Sequence, residues 1–418
     1  MSVSIDLAQA IHALSDALDL VGVDQVLHGK RVGFMALQCG EAMGLNGREL
    51  EDLFHAGLLH GCGVSSTQIH RCLVNELDWS NSEFHCLKGS ELLNQFPPLA
   101  HLAPLVRHHH THWDALRALN LPESTALLAN LLYLVDRVDA LVAPHYEHDL
   151  LLARHAVRDT VWRLSSSFFA PELVALFLDL SDNEAFWLNL EPRHLIRFIY
   201  ERERGARLAP VSLPDLKQLA LLFARVVDAK SPYTLEHSLG TARLARFLAE
   251  RTGLPAETCE KIEVAGLLHD LGKLRVPDEV LEKPGPLTQT EQAAIQRHSF
   301  ETYQILRGIT GLEDITLWAA YHHERPNGRG YPFHRRGAEL TIEARIIAVS
   351  DVFQALAQRR PYRQPLPPMQ ILETLRVFAR DNHLDGTVVE WIGRYLEECW
   401  RLATSGDTEP STETSATA

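Results

Sequence analysis

Along most of the chain, apolar residues return every three or four positions, the spacing of a helix that buries one face. Runs of sustained alternation are scarce, so the pattern predicts an all-α protein. The clearest predicted helices lie in the second half. HSLGTARLARFLAERTG begins at His237 and stops at Gly253, a residue type suited to a helix C-terminus. PAETCEKIEVAGLLHDLGK opens with Pro255 in its first turn and carries the adjacent pair His269-Asp270 near its end, before Gly272 breaks the helix and presents Lys273. Thr288 and Glu291 form a capping-box pattern ahead of a helix on which Ile295, His298, Thr302 and Ile305 share a face. Ile315, Trp318 and His322 share another face, with His323 beside it, before a loop reading ERPNGRGYP. In IEARIIAVSDVFQALAQ, Ile347, Asp351 and Ala355 fall in one line, so the carboxylate points where the apolar residues point.

The 418 residues fit two domains of roughly 200. GARLAPVSLP, around Gly205–Pro214, interrupts the periodicity with one glycine and two prolines. The expected division is a first domain over 1–205 and a second over 211–403. The small, polar stretch 404–418 has no face to bury and is expected to be disordered. The two halves also resemble each other: HAGLLHGCG at 55–63 reads against VAGLLHDLG at 264–272. The offset is 209 for His28/His237 and His60/His269. It is 213 for His85/His298, His109/His322 and His110/His323, and 215 for Asp136/Asp351. So slow a drift, with order preserved, indicates an internal duplication and two tandem helical bundles.

Charge narrows the partners. With 40 Lys+Arg against 54 Asp+Glu, the formal net charge of −14 offers no global field for a nucleic-acid polymer. Cys39, Cys62, Cys72, Cys86, Cys259 and Cys399 form no CxxC pair, as suits a reducing compartment. The N-terminal stretch lacks a basic, then apolar, signal pattern, and no apolar run approaches the ~18–20 residues of a membrane span. A cytoplasmic protein without membrane contact is expected.

The 22 histidines are the compositional outlier. A single histidine on an apolar face is ordinarily a core residue satisfied by hydrogen bonds. That explanation fails for five histidines (His237, His269, His298, His322, His323) and two aspartates (Asp270, Asp351) all projecting inward. Burying so many polar groups is costly unless something satisfies them together. Divalent metals do so, because neutral imidazole and carboxylate are preferred ligands, and two adjacent ions can activate a shared water and clamp a phosphate.

HDLGK at 269–273, HH at 322–323 and GYP at 330–332, with LEKPGPLTQTE before and DVFQALAQRRPYR after the HH and GYP segments, resemble the HD-GYP family of bacterial cyclic di-GMP phosphodiesterases over roughly 220–400. The resemblance implies metal ligands His237, His269, Asp270, His298, His322, His323 and Asp351, with Asp270 as the bridging carboxylate and two divalent ions, iron or manganese. His-rich ligation alone also admits zinc, nickel or cobalt. It implies that Lys273 acts on the scissile phosphate, that Arg360 and Arg363 contact substrate phosphates, and that Gly330 and Tyr331 shape the substrate mouth. The implied reaction is attack of a metal-bridging hydroxide on cyclic di-GMP, giving linear pGpG and, after a second cleavage, GMP. Alternatives are cyclic GMP–AMP as substrate, or an inactive module that senses a cyclic dinucleotide or docks a diguanylate cyclase (GGDEF) protein. A homodimer is a further expectation.

Two departures stand out. Tyr233 occupies the position of a Glu that holds a third metal in some members, which favours two metals. Gln354 stands where the family usually has Asp. The first half keeps His28, His60, His85, His109, His110 and Asp136, but Gly61 replaces the bridging aspartate, Val64 replaces the lysine, and no GYP loop follows. It reads as a sensory, dimerising or regulatory copy. Its histidines either merely pack or retain one metal ion.

Overall fold

The computed structural model describes residues 2–21, 27–146, 149–203, 209–230, 236–358 and 364–404. The all-α expectation holds. The first half contributes α1 (Leu7–Asp19), α2 (His28–Ala42), α3 (Gly47–Leu59), α4 (Thr67–Asn75), α5 (Glu83–Asn94), α6 (Ala103–His108) and α7 (Glu123–Val142). Further helices between Leu150 and Glu203 pack on α2 and α7. The second half repeats the plan with α8 (Leu213–Asp228), α9 (His237–Arg251), α10 (Ala256–Leu268), α11 (Gln289–Leu306), α12 (Glu313–Ala320) and α13 (Ile342–Ala357). It closes with helices between Pro368 and Thr404.

Local chemistry sets these boundaries. Thr288 caps α11 with Glu291 returning the bond, as the sequence predicts, and Asn46 and Glu49 do the same for α3. Gly253, at φ +80°, follows α9. In the second bundle α9 and α10 pack along their length, burying Leu244, Leu248, Ile262 and Val264, while α13 adds Ile346, Ile347, Val349 and Phe353. Each such side chain contributes about 1.5–3 kcal/mol relative to exposure. That apolar packing holds the polar residues of the same helix faces in place.

One feature escaped the periodicity. β1 (Ser2–Ile5) pairs antiparallel with β2 (Ala209–Ser212), Ser2 opposite Ser212 and Ile5 opposite Ala209. Each strand leads into the first helix of its half, capped by Asp6 or by Ser212. The ribbon therefore ties the two halves at equivalent points. α1 crosses to pack on α11 and the turn at 271–275, and α8 packs reciprocally on α5. Residues 204–208 of the expected boundary and 405–418 of the expected tail lie outside the described residues. All six cysteines are free thiols, and among the described residues no helix is long and apolar enough to cross a membrane.

A polar contact also joins the halves. Asp278 Oδ2 accepts from the Ser66 hydroxyl at 2.8 Å and the Thr67 backbone N–H at 2.9 Å, so a carboxylate from the second half sits at the N-terminus of α4. Beneath it Lys230, buried, pairs with Asp278 Oδ1 at 3.0 Å and donates to the Ser65 carbonyl at 3.2 Å. Burial lowers the Lys230 pKa, and Asp278 opposes that shift. Removing the carboxylate strands a buried ammonium. Asp278→Ala is expected to cost about 3 kcal/mol, seen as a lower Tm in a thermal melt. Adding Lys230→Met is expected to recover most of it. An unchanged melt for Asp278→Ala would show that the contact contributes nothing.

Candidate metal centre

Five elements deliver the seven expected ligands to one place. His237 is the first residue of α9, His269 and Asp270 follow α10, and His298 lies within α11. His322 and His323 follow α12, and Asp351 lies in α13. All are buried except His323, which is half-buried. The groups His237/His269/Asp351, His269/Asp270/His322 and His298/His322/His323 each bring ligand atoms within 4.8 Å of one another.

The helix termini fix which nitrogen faces inward. His269 Nδ1–H donates to the Gly266 carbonyl at 2.8 Å, His298 to Ile295 at 2.5 Å and His322 to Ala319 at 2.7 Å, each three residues back. Carbonyls only accept, so each Nδ1 carries a proton and each Nε2 is the atom turned into the site, as a lone pair whenever the ring is neutral. His237 Nδ1 is held by Gln358 Oε1 at 3.3 Å, with the same result. Consequently the Nε2 atoms of His298 and His322 face each other at 3.0 Å. His269 Nε2 and Asp270 Oδ1 are buried without a hydrogen-bond partner. Asp270 Oδ2 lies 3.3 Å from His269 Nε2 and 3.5 Å from His237 Nε2, while Oδ1 lies 3.5 Å from His298 Nε2 and 3.8 Å from His322 Nε2. One oxygen addresses each imidazole set. The residues fit a pair of cations bridged by Asp270, which would satisfy the orphaned atoms and separate the facing lone pairs.

Charge divides the two sets. Burial alone would lower the His269 pKa, but the Asp270 charge, with the Asp270 and Asp351 carboxylates 3.3 and 3.7 Å from its Nε2, outweighs it and raises it to about 10. Burial, with His323 adding to it, takes His298 down to about 3 and His322 well below the ordinary value. Asp270 and Asp351 stay ionised because the histidines, and Lys273 for Asp270, overcome burial. Without a cation, then, His269 keeps its proton from the ordinary histidine range up to about pH 10, and a binding cation must displace it. Apparent metal affinity is therefore expected to rise with pH across that window, with proton release. Calorimetry in buffers of different ionisation enthalpy measures this directly; proton-neutral uptake would contradict it.

Of the residues expected to face a substrate, Lys273, Gly330 and Tyr331 are among the described residues. Lys273 projects from the turn at 271–275 with Nζ 2.5 Å from Asp270 Oδ2 and remains partly exposed. In the loop after α12, the Tyr331 N–H donates to the His323 carbonyl at 3.3 Å, and its ring lies 4.9 Å from the His323 ring. Gly330 is required there: a Cβ would sit 2.4 Å from the Arg325 nitrogen and 2.5 Å from Glu324 Cα. Buried Glu324, which the sequence reading did not single out, accepts from the N–H groups of Phe333 at 2.6 Å and Arg335 at 2.9 Å and pins the loop. Its signal was a carboxylate adjoining HH within a glycine-rich turn. Arg360, Arg363 and Tyr233 lie outside the described residues. Gly330→Ala is expected to push the loop off its seat and lower kcat/KM by on the order of 10²-fold while metal content is kept. Parallel metal analysis and kinetics check it; full activity would remove the loop from the site.

The first half shows what Gln354 replaces. There Asp139 Oδ2 accepts from His28 Nδ1 at 2.7 Å, and the carboxylate also takes Arg31 at 2.6 Å and the Tyr146 hydroxyl. At the equivalent places the second half has Gln354 and Gly240. Gln354 fills the arginine's space, so that a Cβ on Gly240 would lie 2.3 Å from its Nε2, and it donates to the Ala403 carbonyl at 2.9 Å. His237 Nδ1 lies 3.3 Å from Gln358 Oε1. The change at Gln354 is thus paired with the change at Gly240. Gly61 and Val64 line a small pocket in the first half, with His28, His60, Asp136 and Arg137 on its wall.

Comparison with known proteins agrees. Residues 221–388 match the HD domain family. The chain is 36% identical to the 3′3′-cGAMP-specific phosphodiesterase 1 of Vibrio cholerae, over 96% of this chain and 94% of that one. It is 40% identical over 143 residues to the cyclic di-GMP phosphodiesterase response regulator RpfG of Xanthomonas campestris, covering 34% of this chain and 38% of that one. The crystal structure of a cyclic GMP–AMP-specific phosphodiesterase of V. cholerae (V-cGAP3) shares the fold at a TM-score of 0.62 and 23% identity, over 97% of this chain and 99% of that one. With HDLGK, HH and GYP gathered around one site and a relative of this identity along both halves, the chain belongs to the HD-GYP family of HD-domain phosphodiesterases.

Proposed function

We propose that His237, His269, Asp270, His298, His322, His323 and Asp351 hold two divalent metal ions, iron or manganese, with which the second half opens a cyclic dinucleotide. Cyclic GMP–AMP is the preferred substrate in this reading. The observation that carries it is Asp270, which turns one oxygen to each imidazole set with Lys273 at its side. Metals bound there supply an activated water and a clamp for phosphate oxygens. The chain's own groups do the rest. Lys273, a partly exposed ammonium 2.5 Å from Asp270 Oδ2, is placed to offset charge that grows on the phosphate in the transition state. Tyr331 and Gly330 set the width of the mouth, and Arg360 and Arg363 offer forked donors for the second phosphate. Cyclic GMP–AMP is supported by the Vibrio relative that spans both halves. The Xanthomonas relative, matched over about a third of the chain, supports cyclic di-GMP, the first expectation from sequence, as the second reading.

Initial rates on both dinucleotides, with anaerobically purified and metal-analysed full-length chain, test the assignment. Faster turnover of cyclic GMP–AMP is expected, and faster cyclic di-GMP turnover would reverse the order. No hydrolysis of either with two metals bound would retire the enzyme in favour of a binding module. Asp270→Ala is expected to lose metal and activity together. Lys273→Ala is expected to keep both metals and lose about 10²–10³-fold in kcat. Equal metal loss in the two variants would show that Lys273 serves the metal site rather than the phosphate.

A further inference from the structure

The first half lacks the bridging carboxylate, yet part of its site is still built for a cation. His60 Nδ1–H donates to the Gly57 carbonyl at 2.7 Å, and His28 Nδ1–H donates to Asp139 at 2.7 Å. Both acceptors lack a proton to give back, so each Nδ1 carries a hydrogen and each Nε2 faces inward, as a lone pair whenever its ring is neutral. Those two atoms lie 3.1 Å apart. Asp136 Oδ1 lies 3.3 Å from His28 Nε2 and 3.6 Å from His60 Nε2. Two ring nitrogens and a carboxylate oxygen converge on one point in a largely buried pocket, and a positive centre makes that arrangement favourable, either a metal ion or a proton on His28, whose pKa Asp136 and Asp139 raise against burial. Asp136 is steadied from its other oxygen by Arg137 at 2.8 Å and His110 at 3.2 Å, so Oδ1 stays turned toward the pair.

We propose that the first half binds one divalent transition metal through His28, His60 and Asp136, with its open coordination positions facing the adjoining cavity. Imidazole-rich ligation with a single carboxylate is the donor set of zinc and its neighbours rather than of calcium or magnesium. Arg31 already balances Asp139, and Arg137 balances Asp136. The ion's charge is therefore unmet by the protein, and the open positions favour water or a small anion. The neighbouring half-site does not extend the centre to two metals. His85 and His109 face each other at 3.2 Å, but His85 Nδ1 has no carbonyl partner to fix its lone pair, and the Cys86 thiol is committed to the Ser82 carbonyl. Gly61 offers no oxygen between the two positions. A Cβ at Gly61 would meet nothing within 4 Å, so the space for a bridging carboxylate persists.

The site is read independently of turnover, on full-length chain whose second-half centre is disabled by His269→Ala and Asp270→Ala. After anaerobic purification and dialysis, that variant is expected to keep one equivalent of zinc, or of cobalt with visible ligand-field absorption. Adding His60→Gln is expected to abolish it. Gly61→Asp in the same background is expected to raise it toward two. A folded, metal-free double variant that takes up neither zinc nor cobalt would overturn the inference, and would mean that a proton on His28 joins the pair instead. If the double variant fails to give a cooperative melt, the comparison moves to wild type against His28→Asn and His60→Gln. Loss of one equivalent in each supports the site, and unchanged metal content overturns it.

Discussion

The structure depends on imidazoles that cannot turn away. A histidine at or near a helix end whose Nδ1–H is held by the carbonyl three residues back has one nitrogen left, and its direction is set by the helix. His269, His298 and His322 all obey this geometry, and His60 and His109 repeat it in the first half. Once several such helices are packed with their polar ends together, lone pairs converge in a buried space. Cations entering that space would satisfy the buried groups together. The apolar core and the metal centre are in this sense one design, because the same helix faces build both.

Much of this was legible in the sequence because the relevant spacing is local. Thr288 and Glu291, Gly253, and the face shared by His298 with Ile295 and Thr302 are all set within a few residues, and the structure reproduces them. His298 and Asp351 could be singled out because each occupies an apolar line of its helix, and HDLGK and HH because they close helices with an apolar face. What escaped depends on contacts across long separations. β1 and β2 are each four residues long and about two hundred residues apart, too short to leave a pattern. Gln354 was visible as a departure, but its meaning lay in Gly240 and Gln358, which nothing local connects to it. Glu324 was overlooked because its partners are backbone groups of the loop beyond it.

The two halves are one scaffold carried in two chemical directions. In the first, Asp139 and Arg31 hold His28 in a charged pair, while Gly61 and Val64 leave a cavity where the second half places Asp270 and Lys273. In the second, that charged pair has become Gln354 and Gly240, and the carboxylate has moved to the centre. The β1–β2 ribbon and the Asp278–Lys230 contact join the two halves.

The bridging role of Asp270 is the claim on which the rest stands. Anomalous diffraction from crystals of the full-length chain grown with manganese addresses it most directly. Two peaks are expected, about 3.5–4 Å apart, one within ligand distance of His237, His269 and Asp351 and the other of His298, His322 and His323, with Asp270 between them. A single peak, or two peaks with Asp270 turned away from both, would contradict it.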